Sequence, residues 1–136
     1  IGTDNPTSKL DVRGTCAATN FTASSDERLK ENIVPLENPL EKILKLEGKN
    51  YNWKSHEKKE KKAGLIVQQV EEHIEEVCIT NSENDEKRMD YNGLIPYLVE
   101  CIKTQQNQID TQQNQIDTQQ KQINTLNDRL AVLENK

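Results

Sequence analysis

A heptad repeat at the C-terminal end constrains this chain more than any other feature. Apolar residues fall at three- and four-residue spacing at Ile95, Leu98, Ile102, Ile109, Ile116, Ile123, Leu126, Leu130 and Leu133. With Ile102, Ile109, Ile116, Ile123 and Leu130 at position a, position d holds Gln105, Gln112, Gln119, Leu126 and Leu133. The heptad Gln-Gln-Asn-Gln-Ile-Asp-Thr begins at Gln105, recurs at Gln112 and is degenerate at Gln119. A pattern kept this long specifies an α-helix supercoiled against partner helices. Burying each Ile of the seam against a partner is worth about 1.5–3 kcal/mol, so the seam demands company. Its middle d layers are Gln, and Asn, Asp and Thr on the outer faces are mediocre helix formers. The middle is therefore expected to be weaker than either end, with polar layers fixing the register. Ile at a with Leu at d in the last two heptads favours two strands by the simple rule; periodicity leaves the strand number open.

Composition points the same way. Of 136 residues, 32% are apolar and 4% aromatic while 30% are charged, too lean for an isolated chain to stabilise itself easily. Cys16, Cys78 and Cys101 form no CxxC or His/Cys cluster, which argues against a disulfide framework or a zinc site and reads as buried or half-buried thiols. Oligomerisation remains as the source of stability. A net charge of −5 speaks against nucleic acid or an anionic membrane as partner. The run Lys58-Lys59-Glu60-Lys61-Lys62 is short and broken by an acid, and reads as a solvated turn. No stretch reaches the roughly 18 apolar residues of a membrane span. The chain begins at Ile1 without Met and reads as a piece of a longer protein.

Three regions are expected in an α+β chain. Residues 1–24, rich in Thr, Ser, Ala, Asn and Gly, carry a turn at Asp4-Asn5-Pro6. Short strands are expected at Lys9–Arg13 and Cys16–Phe21, with too few large side chains for a core of their own. Residues 25–101 hold nearly all the aromatic and mixed apolar content. Pro39–Leu46 reads as an amphipathic helix with Asn38 as N-cap and Gly48 beyond its end. Lys49–Lys54 and Gly64–Val67 read as strands, the second leading into a helix near Gln68–Glu76. Val77–Thr80 and Lys87–Tyr91, around the polar loop Asn81–Glu86, read as a hairpin. Residues 102–136 are the coiled coil, and Pro96 falls in the first turn of its helix, where a missing N–H costs nothing.

The stretch that carries chemistry is Ser25-Asp26-Glu27-Arg28-Leu29-Lys30-Glu31-Asn32-Ile33. Read alone, Ser24 with Glu27 makes an ordinary capping box at a helix start. Together with Gly64-Leu65-Ile66-Val67-Gln68-Gln69-Val70 and Tyr91-Asn92-Gly93-Leu94-Ile95-Pro96-Tyr97-Leu98-Val99-Glu100-Cys101-Ile102, in that order, it resembles the peptidase S74 family. These are self-cleaving C-terminal chaperones of phage tailspikes and fibres, including endosialidases. The resemblance spans residues 25–136; Cys101 departs mildly from the family's small residue.

The resemblance implies a single-turnover serine autoprotease that needs no cofactor or metal. Ser25 would be the nucleophile and Lys30 its base, cutting between Ser24 and Ser25, with Asp26 and Arg28 as possible supports. A serine hydroxyl needs a base to take its proton, and lysine serves only when neutral, a form favoured by desolvation or by nearby positive charge such as Arg28. Residues five apart lie about 140° around a helix, so Ser25 must sit off any helix that carries Lys30. His56 and His73, each alone, are weaker candidates for the base, and Ser24 is one residue out of register as nucleophile. The implied partners are two further copies in a parallel trimer and the upstream fibre domain, here the end of a β-rich stem at 1–24. The implied setting is a virion fibre or tailspike precursor folded in the host cytoplasm, its chaperone part released after the cut. The competing readings are a non-cleaving adhesive fibre tip and a dimeric coiled-coil scaffold without chemistry.

Overall fold

In the computed structural model, residues 1–135 are described apart from Asn5, Thr7, Arg13, Ser55, His56, Lys58 and Glu83. The first ordered helix, α1 (Pro39–Leu44), starts where Asn38-Pro39 predicts, for a different reason. Asn38 does not cap with its side chain. It adopts the left-handed conformation (φ 49°, ψ 46°) that Asn tolerates, and Pro39 follows at the first helical position. The helix closes two residues before the expected Leu46. Strand β1 (Lys49–Tyr51) pairs antiparallel with β2 (Lys62–Gly64), Asn50 opposite Ala63. β1 starts where expected but stops three residues short of Lys54, and β2 ends at Gly64, where the expected Gly64–Val67 strand begins.

Helix α2 (Val67–Glu71) follows directly, then a 3-10 turn over Glu75–Val77. The single helix expected to Glu76 breaks because Ile74 leaves helical space (φ −140°, ψ 73°). The break lets both Ile74 and Val77 turn into the core, where they are 0% and 3% exposed. Strands β3 (Cys78–Thr80) and β4 (Lys87–Met89) form the expected hairpin, with Ile79 opposite Arg88. Cys78 Sγ points at the Val67 and Ile74 carbonyls.

The chain then enters α3 (Leu94–Glu134), 41 residues long and continuous across the expected boundary at 101–102. Gly93 precedes it because of close approach: a Cβ there would lie 2.9 Å from Val77 Cγ1. The start of α3 packs on α1, and Val70, Ile74, Val77, Leu94 and Tyr97 form the core with Leu36, Ile43, Leu46, Leu65 and Met89 around it. The Tyr97 hydroxyl donates to Glu76, and Lys42 Nζ lies 5.5 Å above its ring. Burial, and then that hydrogen bond, push the phenol up to about 12; Tyr97 in turn holds the Glu76 carboxyl below its ordinary range.

The stem strands expected in 1–24 are not seen among the described residues, and Arg13, the end of the first of them, lies outside those residues. Among the described residues of that stretch no strand forms. The physical reason lies in the composition already noted: few large side chains to pack, and in a single chain no neighbouring strand to take the backbone hydrogen bonds. The expectation of buried thiols also fails at Cys16, which is exposed, while Cys101 is buried and Cys78 half-buried.

Candidate active site

Ser25 and Lys30 meet across one short turn. Glu27–Leu29 forms a 3-10 helix, with Leu29 N donating to Asp26 O (3.1 Å) and Lys30 N to Glu27 O (3.0 Å). Ser25 lies before the turn and Lys30 leaves it extended (φ −122°, ψ 151°). This brings Lys30 Nζ to 2.8 Å from Ser25 Oγ. The arrangement meets the condition that the serine stand off any helix carrying the lysine. Two residues on, Asn32 takes a left-handed conformation (φ 53°) that Asn tolerates.

Asp26, not Ser24, caps the turn. Its Oδ1 accepts from Arg28 N (2.9 Å), and its carboxylate takes the Arg28 guanidinium in fork geometry, with Nε and Nη2 at 3.0 and 2.6 Å. The Arg28 side-chain hydrogen bond, then its backbone N–H, hold the Asp26 carboxyl below its ordinary range. Asp26 raises the guanidinium further. Arg28 thus spends its charge on a neighbouring acid, which weakens its expected part as the cation beside Lys30. Together the pair holds the turn that sets the Ser25–Lys30 distance.

All of residues 21–35 are exposed, including Leu29 (75%), Ile33 (64%) and Val34 (77%). His73 lies in the turn after α2, half-buried, its backbone N–H on Val70 O; His56 falls outside the described residues. The other two motifs meet each other. Tyr91 Oη accepts from Leu65 N at 3.0 Å, and a Cβ on Gly64 would come within 2.7 Å of that oxygen and 3.2 Å of Tyr51 Cε1. Only glycine lets the tyrosine hydroxyl lie flat on β2. Sequence reasoning placed both residues in motifs but could not see that they touch.

Beyond the small domain the expected seam lies open. Ile102, Ile109, Ile116, Ile123, Leu126, Leu130 and Leu133 are all exposed, between 49% and 66%. The outer face is ordered by its own repeat. Gln106, Gln113 and Gln120 donate to Asp110, Asp117 and Asn124, each four residues on, and Thr104, Thr111, Thr118 and Thr125 bond back to carbonyls four residues before. Among the described residues no His/Cys/Asp/Glu group is placed to hold a metal ion, and no helix is long and apolar enough to cross a membrane.

Comparison with known proteins adds two likenesses. The chain is 28% identical over 99 residues to the long tail fiber protein Gp37 of Salmonella phage S16, a match covering 67% of this chain and 13% of the relative. Residues 25–79, which begin at Ser25 and run through the first two motifs, match the Peptidase S74 family, described as the chaperone of endosialidase. Over residues 25–79, then, this chain is similar to the peptidase S74 family, and it spans only a small part of the long tail fiber protein that it matches.

Proposed function

We propose that residues 25–136 are a self-cleaving intramolecular chaperone that assembles an upstream tail-fibre or tailspike segment as a trimer and then cuts itself from it between Ser24 and Ser25. The observation that carries the reading is the 2.8 Å contact between Lys30 Nζ and Ser25 Oγ, at the first residues of the family match.

The proposed step uses that contact. Ser25 Oγ attacks the Ser24 carbonyl carbon while its proton passes to Lys30 Nζ. The Ser24–Ser25 C–N bond breaks, and Lys30 returns the proton to the departing Ser25 nitrogen. The Ser24 acyl group is now an ester on Ser25 Oγ. Water adds across that ester, freeing the Ser24 carboxylate and leaving Ser25 as a new N-terminus. Each chain turns over once.

Lysine takes a proton only as the neutral amine, a form that removal from water favours. In one chain Ser25 and Lys30 are open to solvent and flanked by uncovered Leu29, Ile33 and Val34. Neighbouring copies drawn in by the α3 seam would cover these apolar side chains and dry the dyad. Cleavage would then wait for assembly, and separation from the chaperone would make the fibre kinetically hard to take apart.

Intact mass after incubation tests this. Wild type should yield residues 1–24 and 25–136, and Ser25→Ala or Lys30→Ala should stay whole, a loss of at least about a hundredfold in rate for removing the base. A wild-type chain that assembles and stays uncut would favour the non-cleaving fibre tip.

A further inference from the structure

The segment upstream of the proposed cut is seated on the small domain by charge. Among the described residues of 1–24, Asp11 alone is buried, at 6% exposure, while its neighbour Leu10 is 70% exposed. The Asp11 carboxylate accepts from Arg88 Nη2 at 3.3 Å, across 77 residues of sequence. Arg88 is the middle residue of β4, and its Nε also faces Glu86 Oε1 at 3.8 Å. Beside the pair, Pro6 and Ser8 look across a cleft of about 290 Å³ at Ile79, Thr80 and Ser82 of the hairpin. Ile1 N donates to Asp11 O at 2.6 Å, folding the segment back on itself.

A carboxylate removed from water is costly unless it is paired. A docking driven by apolar burial would have turned Leu10 inward. Here the acid is inside and the leucine outside, so the contact is specified by the guanidinium opposite. Arg88 lies outside the Ser25, Gly64 and Tyr91 motifs, and the family match ends at residue 79.

We propose that the β3–β4 hairpin is the seat of the segment upstream of the cut, with Asp11 and Arg88 as its charge clamp. The two sides of the Ser24–Ser25 bond then remain joined through this pair after the bond is broken, and the chaperone part departs only when the clamp opens. The retention rests on the proposed cleavage; the seat does not.

The test uses the full chain. In an uncut Ser25→Ala background, amide exchange of residues 8–12 is compared with and without Asp11→Ala, with Leu10→Ala as control. Loss of the clamp should speed exchange there by about tenfold or more, with the hairpin amides of 78–80 and 87–89 unmoved and Leu10→Ala without effect. Arg88→Lys should retain part of the protection and Arg88→Ala none. Exchange within twofold of the parent in Asp11→Ala would overturn the seat. In cleaving chains, the 1–24 and 25–136 pieces should separate on gel filtration faster with Asp11→Ala than with wild-type Asp11. Equal rates of separation would overturn the retaining role. If Ser25 chains never cut while Asp11→Ala still loosens residues 8–12, the cleavage reading fails and the clamp stands.

Discussion

The two ends of α3 carry the same kind of stripe and meet different fates. In its first turns Leu94, Tyr97 and Cys101 are buried, at 7%, 2% and 4% exposure, and Leu94 and Tyr97 share the core with Ile74 and Val77. One position round the helix, Ile95 (54%) and Leu98 (47%) are open, and they lead into the Ile102–Leu133 seam, which is open throughout. One helix therefore has two apolar stripes at its start and one thereafter. The first is satisfied by the chain's own domain, and the second stays open in the single chain. Because the seam begins at Ile95, copies joined along it would stand beside the small domain as well as beyond it. A heptad pattern announces that a face will be covered; it does not say by what.

Substitutions in the two stripes should separate these roles. The largest effect is expected from Ile116→Asp, which puts a carboxylate at the centre of the seam, a cost of several kcal/mol per chain if the layer is buried. Solution mass should fall to that of one 15.6 kDa chain, and the far-ultraviolet signal of α3 should drop with it. An unchanged mass would remove the seam as the interface. In the other stripe's core, Ile74→Ala should destabilise by about 2–5 kcal/mol. Its denaturation midpoint should shift by the same amount at all protein concentrations, provided that assembly is unaffected; a concentration-dependent loss would mean that the core and the seam are not independent.

The smallest effect sharpens the comparison at Tyr97. Tyr97→Phe removes the hydrogen bond to Glu76, worth about 0.5–1.5 kcal/mol near neutrality. The sign with pH is fixed by the direction of each shift. Glu76 titrates below its ordinary 4.5 in the folded chain, so its contribution is full above 4.5 and fades as pH falls through the lowered value. Tyr97 titrates near 12 instead of 10, so its contribution is full below 10 and fades toward 12. Midpoints of wild type and Tyr97→Phe should differ at pH 7 and converge at both extremes. Divergence in acid would show that Glu76 is held by something other than the tyrosine.

Much of the fold was legible along the chain. The β3–β4 hairpin, the start of α1 and the long terminal helix follow from alternation, Asn-Pro and heptad spacing, all local signals. The strand ends at β1 and β2 and the break at Ile74 were not legible, since each is set by what the segment packs against. Among the described residues of 1–24 no stem strand forms, for the related reason that alternation proposes a strand while only a partner completes one. In the site, the sequence named Ser25 and Lys30 and required a non-helical step between them. It did not foresee that Asp26 would cap that step and take Arg28 with it, because a fork-shaped ion pair two residues apart depends on the turn itself.

What the sequence alone determined is the set of local commitments: a periodic apolar seam along a helix, a serine five residues from a lysine, and a glycine and a tyrosine in separate motifs. Tertiary structure decided the meetings. It laid Tyr91 on Gly64, split the start of α3 between two faces, and buried Asp11 under Arg88 across 77 residues. Spacing along a chain fixes which side chains share a face. Which faces come together depends on closing loops around a common core, and no local pattern encodes that closure.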